Sequence, residues 1–150
     1  MTMGSEGNCK YGDVVAEVAG ELQGALAAAN ECGIPRWSQV VDPGIGFSKK
    51  NSDSATLLQP SSVARLRGLL GGRALLVGAS RKRVVKEAVS GSSDSGSVSN
   101  EALDRATAGV SCGAVAGGAD IVRVHNCAVV GPAVRALKRI MTGLPTNHDE

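Results

Sequence analysis

The chain is predicted to fold as an α/β domain built on a parallel sheet, and three features say so. Helical and extended patterns alternate in the order helix, strand, helix, strand, helix, strand, helix, which is how right-handed βαβ units are written. The aromatic share is only 2%, so the core must come from Val, Leu, Ile and Ala, the material of sheets buried under helices. Each strand pattern also runs into polar residues: Asp42, then Ser80-Arg81-Lys82, then Arg123 and His125. Asp42, Lys82 and Arg123 stand 40 and 41 residues apart. In a parallel sheet all C-terminal strand ends lie on one side, where such folds build their sites.

The elements follow in order. Over Gly12–Glu31, Val14, Val15, Val18, Leu22, Ala25, Leu26 and Ala29 recur at three- and four-residue steps and predict a helix. Gly33 and Pro35 stop it. Ser38–Val41 reads as a short buried strand. Ser54–Gln59 reads as a short helix halted before Pro60, and Ser61 and Ser62 offer caps for a further helix reaching Leu70. Gly71-Gly72 turns the chain into the apolar strand Ala74–Val77. Ser90–Asn100 is a Gly/Ser-rich loop expected to be mobile. Glu101–Ala116 is a small-residue helix, Asp120–Val124 a strand, and a last helix starts at Pro132, a good first-turn residue, and ends at Met141. The polar residues 142–150 are expected to fray.

The 150 residues suit one domain. With 43% hydrophobic and 20% charged residues, a folded core is expected. A net charge of +2, no basic run and no aromatic stacking platform argue against nucleic acid. No apolar run of about 18 residues is present, so no membrane helix is expected. Cys9, Cys32, Cys112 and Cys127 form neither CxxC pairs nor zinc spacings, which fits reduced thiols in a cytosol-like compartment. MTMGSEGNCK lacks the regions of a signal peptide. A targeting segment would lie upstream, leaving the location as cytoplasmic or mitochondrial.

Several chemistries compete for the polar strand ends. DPGIGFSKK (42–50) contains GxG after a strand, yet the third glycine of a dinucleotide fingerprint is missing and no P-loop occurs. Its glycines fit either a plain strand-to-helix turn or the close approach of a flat ligand. Asp42 fits a cap, a salt-bridge partner, or an acceptor for paired N–H groups of a ligand. Ser80-Arg81-Lys82-Arg83 fits a solvated basic patch, or an anionic or carbonyl partner for Lys82. Arg123 is costly in a strand unless paired, and His125 alone suits a hydrogen-bonded core histidine. Two residues apart on a strand, both face one way, and that combination suits phosphate.

DPGIGFSKK, LLVGASRKR and GGADIVRVHN, in that order with a helix between each, resemble the C-terminal half of dihydropteroate synthase. GIPRW and SKK resemble the plant-type or other eukaryotic form, and MTMG resembles the end of the family's fifth strand. The resemblance implies a partial TIM (β/α)8 barrel over residues 1–141, from the end of strand 5 through strand 8. It implies an enzyme that joins a hydroxymethylpterin pyrophosphate to 4-aminobenzoate and releases pyrophosphate. Asp42, Gly46, Phe47, Gly78, Lys82 and Arg123 would bind the pterin. Phe47, Ser80 and Lys82 would bind 4-aminobenzoate, which is also the sulfonamide pocket, and Arg123 and His125 the pyrophosphate. Lys82, Arg123 and His125 would carry catalysis through placement and charge stabilisation.

The same resemblance sets limits. Asp53 and Ser54 stand where the family commonly has His and Asn, which puts local loop packing in question. A whole barrel needs about 250 residues. The magnesium ligand of the first strand and the polar residues of strands 2 to 4 are expected outside this chain, so no metal ligand is assigned within it. Isolated, the chain is expected to be inactive; the full-length protein is expected to be a homodimer. A methyltetrahydrofolate-binding methyltransferase domain and a non-catalytic half-barrel remnant are the alternatives, and the SRK motif argues against the first.

Overall fold

The structure, a computed structural model, describes residues 11–91 and 98–143. They form α1 (Val14–Glu31), a 3-10 turn (Arg36–Ser38), β1 (Val40–Val41), α2 (Asn51–Leu57), α3 (Pro60–Leu69), β2 (Ala74–Val77), α4 (Arg83–Ser90), α5 (Asn100–Ala116), β3 (Ile121–Val122) and α6 (Cys127–Thr142). The strands lie in the order β1-β2-β3, and both pairings are parallel. The α/β class is therefore as expected. The strand-5 stub, Cys9, residues 92–97 of the polar loop and the tail from residue 144 lie outside the described residues. Cys32, Cys112 and Cys127 are free thiols. No described helix is long and apolar enough to cross a membrane.

Period-two alternation divides the sheet into two unlike faces. Val40 pairs with Ala74, Val41 with Leu75, Leu76 with Ile121 and Val77 with Val122. Val41, Leu75 and Val77 are buried in a core shared with Val14, Val18, Leu57, Leu66 and Leu103 from the helices. On the other face Val40 and Ile121 remain exposed. Helices thus cover one side of the sheet among the described residues and leave the other bare.

Local chemistry explains where the elements start. Asp13 accepts a hydrogen bond from Ala16 N (3.1 Å), and Glu17 reaches back to the N–H groups of Gly12 and Asp13. Helix α1 therefore begins at Val14 and not at Gly12. Tight packing fixes the α3–α5 junction: a Cβ on Gly117 would collide with the Pro60 carbonyl and lie 2.8 Å from Val63 Cβ.

Six expectations need correction. The helix read as Ser54–Gln59 is α2, Asn51–Leu57, and the strand read as Asp120–Val124 is β3, Ile121–Val122. The first strand is two residues long, because Ser38 Oγ donates to the Pro35 carbonyl and closes a turn ahead of it. Gln39 adds to this by donating to Asn30 and Ile34 and accepting from Arg73. Pro60 itself opens α3, so Ser61 and Ser62 lie inside the helix and cap nothing. Helix α4 was not expected; it buries Val84 and Val85 and ends on left-handed Gly91 (φ 68°). Helix α6 starts at Cys127, since Asn126 caps it through Val129 N (3.3 Å), and Pro132 falls inside. Proline there removes the N–H that would serve the Ala128 carbonyl.

Candidate functional site

The loop after β1 is folded by its own polar groups. Asp42 Oδ1 accepts from Gly44 N (2.8 Å), and Phe47 N donates to the Gly44 carbonyl (3.0 Å). Ile45 is fully buried and plugs the loop into the core. Gly44 and Gly46 take φ values of 70° and 73°, a left-handed region open to glycine. Ser54, in the place where the family commonly has Asn, is wholly buried and accepts from Gly46 N (3.2 Å). The substituted position thus supports the loop, while the neighbouring Asp53 keeps Oδ2 buried without a hydrogen bond.

Three cations lie across three glycines. A Cβ on Gly46 would be 3.2 Å from Lys82 Cδ, one on Gly78 3.1 Å from Arg123 Nη2, and one on Gly44 3.5 Å from Lys49 Nζ. The space above Gly46 and Gly78 is therefore filled by the protein's own side chains. Lys82 Nζ also donates to the Ile45 carbonyl and lies 4.6 Å from the centroid of the exposed Phe47 ring, within cation–π range. Burial holds the Lys82 amine below the usual lysine range; the Asp42 carboxylate opposes that, and Arg123 and Lys49 add to it.

Ser80 is buried, and its Oγ accepts from His125 N (3.2 Å) and lies 2.9 Å from His125 Nδ1. The second and third strand ends are thereby joined by a direct bond between two expected site residues. Arg81, read as part of a basic patch, is bound bidentately to Asp104 of α5 at 2.9 and 3.0 Å. Asp104 Oδ2 also accepts from Asn126 Nδ2 (3.0 Å). Hydrogen bonds from Arg81 and then Asn126 hold the Asp104 carboxyl below the usual carboxylate range. Sequence reasoning missed Asp104, because one acid in a small-residue helix carries no spacing signal.

Asp42, Lys82 and Arg123 thus come together with Lys49 on an open platform. A recess of about 410 Å³ lies elsewhere, at the opposite end of the strands between Trp37, Arg73 and Ala74. It holds no acid or imidazole, and the chemistry of the strand-end platform is the richer of the two. Among the described residues no group of three His, Cys, Asp or Glu side chains could hold a metal ion.

Fold and site define a parallel α/β protein with a cation-rich platform at its strand ends. The family described as pterin binding enzyme matches residues 1–125, and the chain belongs to it. The mitochondrial folate synthesis bifunctional protein of Pisum sativum is 37% identical over 139 residues, covering 83% of this chain and 24% of the relative. The dihydropteroate synthase of Mycobacterium leprae is 38% identical over 130 residues, covering 85% and 42%. The crystal structure of Stenotrophomonas maltophilia dihydropteroate synthase superposes with a TM-score of 0.75 at 34% identity, over 91% of this chain and 48% of that one. The Xanthomonas albilineans enzyme in complex with 7,8-dihydropteroate gives 0.79 at 29% identity, over 93% and 51%. The chain spans about half the length of these solved structures and less than half of the curated relatives.

Proposed function

We propose that these 150 residues are part of a dihydropteroate synthase and carry the second half of its (β/α)8 barrel, with β1, β2 and β3 as strands six to eight. On this reading residues 1–141 belong to the barrel domain. The meeting of Asp42, Lys82 and Arg123 at neighbouring ends of a parallel sheet carries the proposal. The 7,8-dihydropteroate bound by the Xanthomonas relative supports it.

Each side chain has a task on this reading. The Asp42 carboxylate gives one lone pair to Gly44 N and keeps others for the amino and ring N–H groups of a pterin. Lys82 reaches the pterin carbonyl and ring nitrogen, Gly46 and Gly78 line the ring, and Phe47 and Ser80 flank 4-aminobenzoate. Arg123 and His125 hold the pyrophosphate. The bond from the pterin methylene to pyrophosphate oxygen breaks, and its electron pair leaves with pyrophosphate. The amine of 4-aminobenzoate then bonds to the cationic methylene and sheds a proton. Arg123 and His125 stabilise the departing charge, and Lys82 the pterin carbonyl; little acid–base work is needed.

Magnesium and homodimerisation remain part of the proposal. The described residues do not form a metal site, so no step is routed through the metal here. The exposed Ile140 and Met141 of α6 suit a subunit contact. Three strands do not close a barrel, so the 150 residues alone are expected not to form pteroate. Turnover at an ordinary enzyme rate overturns that expectation.

Calorimetric titration with 6-hydroxymethyl-7,8-dihydropterin pyrophosphate tests the site. Asp42→Asn removes a charged acceptor, so affinity should fall about tenfold or more. Equal affinity for the variant and the parent chain rejects the assignment.

A further inference from the structure

We propose that Asp104 is a positioning residue that clamps the Ser80-Arg81-Lys82 loop to the Arg123–Asn126 segment, so that Lys82 and His125 are held in one frame. Asp104 belongs to neither segment. It sits on α5, is only 3% exposed, and has both carboxylate oxygens engaged. Oδ1 takes Arg81 Nε, while Oδ2 takes Arg81 Nη2 and Asn126 Nδ2. Asn126 meanwhile caps α6 with its Oδ1. One buried carboxylate therefore ties the end of β2 to the start of α6.

The backbone shows what the clamp holds. Arg81 has φ 56°, in the left-handed region that a side chain with a Cβ rarely adopts. Such a conformation persists where the surroundings over-determine it. The guanidinium–carboxylate fork supplies that determination, and the next residue is Lys82, whose stem crosses Gly46. On the other side the Ser80–His125 bond lies one residue from Arg81 and one from Asn126. The loop is thus bracketed twice, and the longer bracket passes through Asp104. Arg81 is spent in this pair, which takes it out of the cations available to an anionic ligand.

The proposal rests on the reading above only for what Lys82 does in the reaction. Its test reads the surroundings of Lys82 and works whether or not the chain binds a pterin. Trace acylation of lysines across a pH series, read by mass spectrometry, gives the titration midpoint of Lys82. Charged groups facing its amine are Asp42, Arg123 and Lys49, which all variants keep. In Asp104→Asn the midpoint should move up, toward that of a free lysine side chain, because the loop releases its amine to water. Loss of a negative charge alone would move it down. The double variant Arg81→Met with Asp104→Asn removes one charge of each sign, strands none and keeps a Cβ at the left-handed position, and should show the same upward move. Asp104→Glu, which keeps the fork, should restore part of the parent value. An unchanged or lowered midpoint in the double variant, with parent helical circular dichroism, overturns the proposal.

Discussion

The two faces of the sheet are made from the same strands and do opposite things. On the helix-covered face Val41, Leu75 and Val77 are at most 5% exposed. On the bare face Val40 is 51% and Ile121 40% exposed, and the continuation of that face carries Arg123 over Gly78. One face secures the fold of these residues and the other presents their chemistry. Alternation with a period of two lets a single strand serve both without compromise.

Four measurements break or sharpen this contrast. Leu75→Ala should cost about 3 kcal/mol by urea denaturation, as for a fully buried leucine, while Leu76→Ala on the bare face should cost under about 1 kcal/mol. Equal costs would mean that something covers the bare face. Gly117→Ala should cost about 1–3 kcal/mol, the usual range for overpacking; a neutral result would show that α3 and α5 can part at Pro60. Acid should then act through the helix-covered side. The carboxyl of Asp120 is held low by Arg67 and Leu75 N against the raising effect of burial, and that of Asp104 by Arg81 and Asn126. A lowered folded value means stability that is complete above the ordinary carboxylate range and lost as pH falls through the folded value. Urea midpoints between neutral and strongly acidic pH should fall, and Asp120→Asn should flatten that fall. Last, Trp37→Ala should stay within about 0.5 kcal/mol, since Trp37 is 87% exposed. A larger loss would place a covering group at the strand beginnings.

The sequence legibility follows the same division. Ala74–Val77 reads to the residue as β2, because a continuous apolar run between turn glycines has few other uses. The start of β1 reads too long, since the side chains of Ser38 and Gln39 take over hydrogen bonding there; β3 also reads too long, although Asp120 N and Arg123 N on either side of it still donate to the Leu75 and Val77 carbonyls. Pattern reading also missed α4, whose eight residues look like loop between two polar stretches. In the site, Asp42, Lys82, Arg123 and His125 stand out because each follows an apolar run. Asp104 does not, for its partners are 22 and 23 residues away in opposite directions. Lys49 follows no apolar run, yet the left-handed turn at Ser48 (φ 52°) is followed by this lysine, whose amine lies across Gly44.

The cations resting on glycines have a consequence for inheritance. A single base change converts a glycine codon to one for alanine, serine or valine. At Gly46 or Gly78 such an allele would add a Cβ where Lys82 or Arg123 lies, and so displace a charge without altering any charged residue. Alleles that shift the charges of the platform are therefore expected at positions with no ionisable atom of their own. A survey that scores only acids, bases and rings would pass over them.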